Sequence, residues 1–420
     1  MVSVCFYFQV HQPHRIGEFS LFDIGKGKDY FDEKKNREII GKVARKCYIP
    51  TNNLLLKLIK KHNGKFKVAF SLTGTVVEQF KKYEPKVLDS FKELAKTGCV
   101  EFLNETYYHS LSYLYSKEEF KEQLQLHKKM IKELFNQEPK VFRNTELIFN
   151  NELSKFIEDL GYKGIIAEGA DHVLNGRSPN FIYKTVYAPN IKVLLKNYKL
   201  SDDIAFRFSN KGWQDYPLTA EKHAGWLDGH NGNGEVINLF MDYETFGEHQ
   251  WEDTGIFNFL EKLPEEVLKN PDNDFITPTE ATERMDAKGE IDVHNFVSWA
   301  DLERDLSAWL GNGIQHSAIS ELYKLEPYVK ATGDKELLEQ WRKLTTSDHF
   351  YYMCTKWFSD GDVHKYFNPY DSPYDAYILF MNVLNDFSLK VKSKLGSSPQ
   401  AEEIGITDNP SQKLNLLINN

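Results

Sequence analysis

The hydrophobic positions of this chain follow two periods. Seven runs of apolar, β-branched or aromatic residues read as strands, at roughly 2–10, 66–73, 100–105, 140–146, 164–168, 193–206 and 236–242. They are nearly continuous rather than alternating, as expected of parallel strands covered on both faces. Between several of them the spacing lengthens to that of a helix. Leu54, Leu55, Leu58 and Ile59 share one face of the segment 52–62, and Phe120, Leu124, Leu134 and Phe135 are spaced for a helix over 117–135. A third helix is predicted over 152–160, with Gly161 just past its end. Seven such units within about 285 residues point to a βα barrel, with an open sheet as the alternative.

From about residue 286 the pattern becomes helical. Ser298 and Asp301 have the spacing of a capping box, and Trp299, Leu302, Leu306, Trp309 and Leu310 would then share one helix face. Further helices are predicted over 313–330, 334–357 and 372–394, while 396–420 is a polar tail. The expected organisation is therefore a barrel over 1–285, a helical domain over 286–395 contributing to an active-site cleft, and a C-terminal tail over 396–420.

In a parallel βα architecture the chemistry sits at the carboxyl ends of the strands. Polar residues collect there repeatedly: His11-Gln12-Pro13-His14, Asn104-Glu105 through His109-Ser110, Glu146, Glu168, and Asp242-Tyr243-Glu244. A carboxylate after a strand is often only the cap of the next helix. The pair Glu146 and Asp242 is more telling, because two carboxylates at two strand ends are the minimum equipment for cleaving a glycosidic bond. The nucleophile of such a pair must stay ionised, and Arg143 is a candidate cation for that purpose. The acid must hold its proton, which the charge of Glu244, two residues from Asp242, would favour. His11 lacks a second ligand at metal spacing, so a substrate contact is preferred over a metal site; the same holds for His109.

Trp226 lies among Gly225, Gly229, Gly232 and Gly234 and is predicted to stack on sugar, whereas Trp213, Trp251, Trp309 and Trp357 are expected in the core. The glycine-rich stretch 229–234 lacks the Gly-Lys-Ser/Thr ending of a phosphate loop.

Composition narrows the partners. The 420-residue chain carries a net charge of −9 without an extended basic run, which argues against nucleic acid. No apolar run approaches the length needed to span a membrane. The N-terminal run leads into His11 without a basic region or cleavage site and reads as a strand. Four scattered cysteines suit reduced thiols and a cytoplasmic location.

Five stretches together resemble glycoside hydrolase family 57: His11-Gln12-Pro13; 100–111 (VEFLNETYYHSL); 142–147 (FRNTEL); 241–247 (MDYETFG); and 298–312 (SWADLERDLSAWLGN). The last is similar to the α-amylase branch of that family. The resemblance implies a (β/α)7 barrel followed by a helical domain, and no catalytic metal or cofactor. It implies a retaining α-1,4-glucan hydrolase acting on starch, glycogen or maltodextrin, with Glu146 as nucleophile and Asp242 as general acid/base. A 4-α-glucanotransferase or branching enzyme on the same two acids is the alternative. His11, His109, Glu244 and Trp299 match positions lining the sugar site. The chain departs from the glucanotransferases at Tyr243, where they carry glycine, and at His109, where they carry a carboxylate. Retaining chemistry predicts carboxyl groups about 5–5.5 Å apart.

Overall fold

The first strand, β1 (Val2–Val10), is buried at every position. Its alternate residues enter two different cores: Val2, Val4, Phe6, Phe8 and Val10 join one apolar cluster, and Cys5 and Tyr7 join another. A strand covered on both faces has this two-sided burial, and its composition is apolar for that reason. The computed structural model of the chain describes residues 2–356 and 363–396.

The remaining strands are β2 (Val68–Leu72), β3 (Val100–Phe102), β4 (Val141–Arg143), β5 (Gly164–Glu168), β6 (Ile182–Thr185), β7 (Ala188–Lys196), β8 (Val236–Asp242), β9 (Asn273–Phe275) and β10 (Glu290–Ile291). β1 pairs in parallel with β2 and β8, β2 with β3, β4 with β5, β5 with β7, and β7 with β8. A parallel bridge between Asn104 and Phe142 links the end of β3 to β4. Followed in this order, the pairings lead from β1 back to β1. β6 runs antiparallel to β7, which makes the sheet mixed, and β9 and β10 add to β1 and β6.

One face of the sheet carries the cluster of Cys5, Tyr7, Ala69, Val141, Ile166, Leu194 and Phe240. The other face is covered by helices, among them Ile49–Lys61, Gly74–Tyr83, Pro85–Lys96 and Ile256–Leu268 in one cluster, and Lys117–Phe135 and Asn151–Asp159 in another.

Several local expectations change. The run 193–206 is the end of β7 followed by a helix, Tyr198–Ala205, whose cap is the Asn197 side chain. β6, β9 and β10 have no counterpart among the seven predicted runs. No helix starts at Ser298. Its hydroxyl donates to the Asp305 carbonyl at 2.6 Å and Asp301 and Arg304 have positive φ, so the segment is a tight turn. Leu302 is 84% exposed and the helix there is only Ser307–Leu310. Trp309 is buried and Trp213 half-buried, but Trp251 is 57% exposed. Trp357 and the tail beyond Gly396 lie outside the described residues.

The chain divides into two compact units: Met1–Pro13 with Glu33–Ala308, and His14–Asp32 with the described residues from Trp309 onward. The boundary therefore falls at 308/309 rather than 285/286. The reason is that Ile291, Val293 and Val297 pack into the sheet's helix-side core, while Val297 bridges Phe149. In the second unit the described elements are helices, of which Pro373–Gly396 is the longest. The excursion 14–32 belongs there because Asp386 accepts from the Gly25 amide and the Tyr30 hydroxyl, each at 2.6 Å.

Candidate active site

Side chains from the ends of β1, β3, β4 and β8 meet in the first unit. Glu146 follows β4 in a left-handed backbone conformation (φ 58°), and His109, beyond β3, does the same (φ 51°). Such angles are costly outside glycine and persist where surroundings over-determine them. Here the two strained residues are bonded to each other: His109 Nε2 lies 3.0 Å from Glu146 Oε1. The other carboxylate oxygen, Oε2, accepts from Trp299 Nε1 at 2.8 Å. The tight turn explains how Trp299 gets there, since its own amide also donates to the Glu146 carbonyl at 3.2 Å.

The buried Arg143 does not hydrogen-bond Glu146. Its guanidinium stands 5.1 Å from the centre of the Trp299 ring and 3.8 Å from Glu105 Oε2. Lys196, from the end of β7, lies 5.3 Å from the same ring, so Trp299 is flanked by two cations. Lys196 and Arg304 also flank Glu168, at 3.8 Å and 3.5 Å. Burial pushes the Glu168 carboxyl up, and those two cations oppose it.

Asp242 ends β8 half-buried. Its pKa is pushed up to about 6, by burial first and then by the charge of Glu146, with Arg143, Lys196 and His109 pulling the other way. Glu244 is pushed up to about 8 by burial and then by Asp242, while hydrogen bonds from Tyr48 and Gln12 resist. The Tyr48 hydroxyl donates to Glu244 Oε1, and Gln12 Nε2 donates to it at 3.4 Å. The two acids are not on one extended strand, because a 3-10 turn begins at Tyr243. Gly247 closes this motif for a steric reason: its φ is +108°, and a Cβ there would sit 2.0 Å from the Lys46 carbonyl. His11 Nδ1 is 2.9 Å from Thr73 Oγ1, and its ring stacks on His109 with centroids 4.0 Å apart.

Glu146, His109, His11 and Trp299 are thus brought together, with Asp242 and Glu244 as an adjoining pair. Trp226 is not among them. It lies on the helix Ala220–Asp228, half-buried against Trp213 and His223, because Gly225 is helical and only the glycines after it form a turn. Glu105 stands at a predicted strand end, and the sequence there assigns it no role. It is fully buried and bonded to His109 Nδ1 at 3.3 Å. Its position four residues before His109 was the available signal. Arg304 lies within the quoted stretch 298–312, whereas Lys196 and Tyr48 carried no signal.

The sheet and this group of strand-end acids define an α/β protein with an acid-lined site. The chain belongs to glycosyl hydrolase family 57, whose sequence model matches residues 5–294. It is 47% identical over 407 residues to a Methanocaldococcus jannaschii protein described as a "Putative alpha-amylase", covering 94% of this chain and 86% of the other. Among solved structures it is similar to a branching enzyme of the same family from Pyrococcus horikoshii, with TM-score 0.63, 14% identity, and 91% and 96% of the two chains covered. It is also similar to the 4-α-glucanotransferase of Thermococcus litoralis, with TM-score 0.60 and 17% identity; the match covers 92% of this chain and spans 59% of that one.

Proposed function

We propose that the protein is a retaining α-1,4-glucan hydrolase of the α-amylase type, acting on starch, glycogen or maltodextrin. The observation that carries this reading is the unequal treatment of two acids. Glu146 accepts from Trp299 Nε1 on one carboxylate oxygen and meets His109 Nε2 at 3.0 Å on the other, and hydrogen bonds donated to a carboxylate favour its ionised form. Asp242 is held protonated to about pH 6 beside it. That division matches a nucleophile and a general acid.

In the first step Asp242 protonates the glycosidic oxygen while Glu146 attacks the anomeric carbon. The bond to the leaving sugar breaks, its electron pair staying on the protonated oxygen, and a glycosyl-enzyme forms. Asp242 then takes a proton from water, whose oxygen attacks the same carbon and releases Glu146. A carboxylate oxygen carries two lone pairs, so a hydrogen bond from His109 or Trp299 does not by itself block attack. His11, His109, Glu244 and Trp299 would contact the sugar.

The reading takes the sheet to be a (β/α)7 barrel, which the pairings running from β1 back to β1 support. It takes the location to be cytoplasmic, in keeping with four buried free cysteines. No described helix is long and apolar enough to cross a membrane. Product analysis on maltoheptaose tests the function. Shorter sugars of retained anomeric configuration, absent with Glu146→Gln and unaffected by chelation of metals, are expected. An inverted product would refute the retaining step.

A second reading keeps the same two acids and lets a sugar hydroxyl replace water. The names of the two structural relatives favour it. Products longer than the substrate, or branched ones, would select it.

A further inference from the structure

Each ring nitrogen of His109 faces a carboxylate oxygen, Nδ1 at 3.3 Å from Glu105 and Nε2 at 3.0 Å from Glu146. An ionised carboxylate only accepts hydrogen bonds. Both contacts can be hydrogen bonds to ionised acids only if both nitrogens carry protons. We propose that Glu105 is a positioning residue for Glu146: it holds His109 as an imidazolium whose Nε2–H fixes the attacking carboxylate and keeps it ionised. This rests on the reading of Glu146 as nucleophile, and it assigns a role to a residue outside the two catalytic acids.

Glu105 is built to be a fixed anion. It accepts from the Ser71 hydroxyl, from Gln9 Nε2 at 3.3 and 3.4 Å, and lies 3.8 Å from Arg143. Gln9 is itself oriented by the Tyr7 hydroxyl at 2.8 Å. Burial disfavours the charge of Glu105, but His109 and Arg143 outweigh it and bring its pKa to about 2. For His109 burial opposes the cation too, and the bonds to Glu105 and Glu146 raise it to about 9. Other charged or titratable groups near His109 include Arg143 from β4, which opposes its protonation, Asp242 from the end of β8, which interacts with it electrostatically, and the stacked His11 from the end of β1.

The alternative is a neutral His109 with one carboxyl protonated. If that carboxyl were Glu146 it would be a poor nucleophile. The imidazolium has a second consequence. When water displaces the sugar from the glycosyl-enzyme, the electron pair of the broken bond returns to Glu146, where the Nε2–H stabilises it. Glu105 would therefore act on the chemical steps rather than on binding.

The test uses the full chain labelled with ¹⁵N-histidine, its His109 signals assigned by their loss in His109→Gln. In the wild type both nitrogens should show imidazolium shifts at pH 7. In Glu105→Gln the titration midpoint should fall by about one unit or more. Its kcat should drop about ten-fold or more, with KM within about two-fold. A neutral His109 in the wild type, an unmoved midpoint in Glu105→Gln, or a loss confined to KM would each overturn the proposal. Glu105→Gln leaves Arg143 without its counter-charge. Should it fail to fold, the wild-type spectrum decides alone. A wild type inert on every glucan would overturn the hydrolase reading and this role with it. An active enzyme, dead as Glu146→Gln but with neutral His109, would overturn this inference only.

Discussion

Trp299 Nε1 donates a 2.8 Å hydrogen bond to Glu146 Oε2 across 153 residues of sequence. The indole is held in place by Arg143 and Lys196 on its ring and by the bond from its own amide to the Glu146 carbonyl. Glu146 and the turn that carries Trp299 are therefore one structural unit.

Trp299→Phe keeps an aromatic ring beside the two cations and removes the N–H together with the pyrrole half of the indole. A hydrogen bond to a charged group contributes about 1.5–3 kcal/mol. The expected outcome is a fall in kcat/KM of about 10- to 100-fold on maltoheptaose, with an unchanged circular dichroism spectrum. Wild-type turnover would show that this bond plays no part in the reaction.

Glu146→Gln should lower kcat by about 10⁴-fold or more while maltoheptaose still binds, since the amide retains the shape and loses the attacking charge. Calorimetric titration beside a rate assay separates the two quantities. Near-normal turnover would remove Glu146 from the mechanism.

The pH profile follows from Asp242. Its pKa is raised to about 6, so it keeps its proton, and can act as the acid, below that pH. The rate kcat/KM should decline as pH rises through about 6. Asp242→Asn should lose that limb together with most of the activity on unactivated glucans. A rate that instead increases through pH 6 would contradict the assignment.

Glu244 makes a stability prediction of definite sign. Its pKa is raised to about 8, above the ordinary glutamate value, so the folded state binds this proton more tightly than the unfolded chain does. Its contribution is fully present below the unfolded value and is lost as pH rises through the folded one. The melting temperature of the wild type should fall between pH 5 and 9, and that of Glu244→Gln should fall less. Parallel curves would show that Glu244 is not protonated in the native state.

Trp226→Ala separates packing from recognition. The side chain packs on Trp213 and His223, so its loss should cost about 1–3 kcal/mol of stability, read by denaturant unfolding, and leave KM unchanged. A raised KM in a stable variant would restore the sugar-stacking expectation.

The sequence by itself determined the strands with long apolar runs, because a strand buried on both faces has no polar positions to hide its pattern. It also determined where the acids stand, since a carboxylate at the end of such a run can be read directly. The helix over 117–135 was legible from its period and has the bounds Lys117–Phe135. The tertiary structure decided which strand ends meet. It turned a capping-box spacing at Ser298 into a tight turn, since positive φ at Asp301 and Arg304 and the bond from Trp299 to Glu146 outweigh local helix preference. It placed Trp226 on a helix and enlisted Lys196 and Tyr48, whose neighbours in sequence give no hint of the site. It also made Glu105 and Glu146 two ends of one imidazole. Protonation depends on burial and on charges a few ångströms away, and those distances arise only once strands separated by dozens of residues are paired.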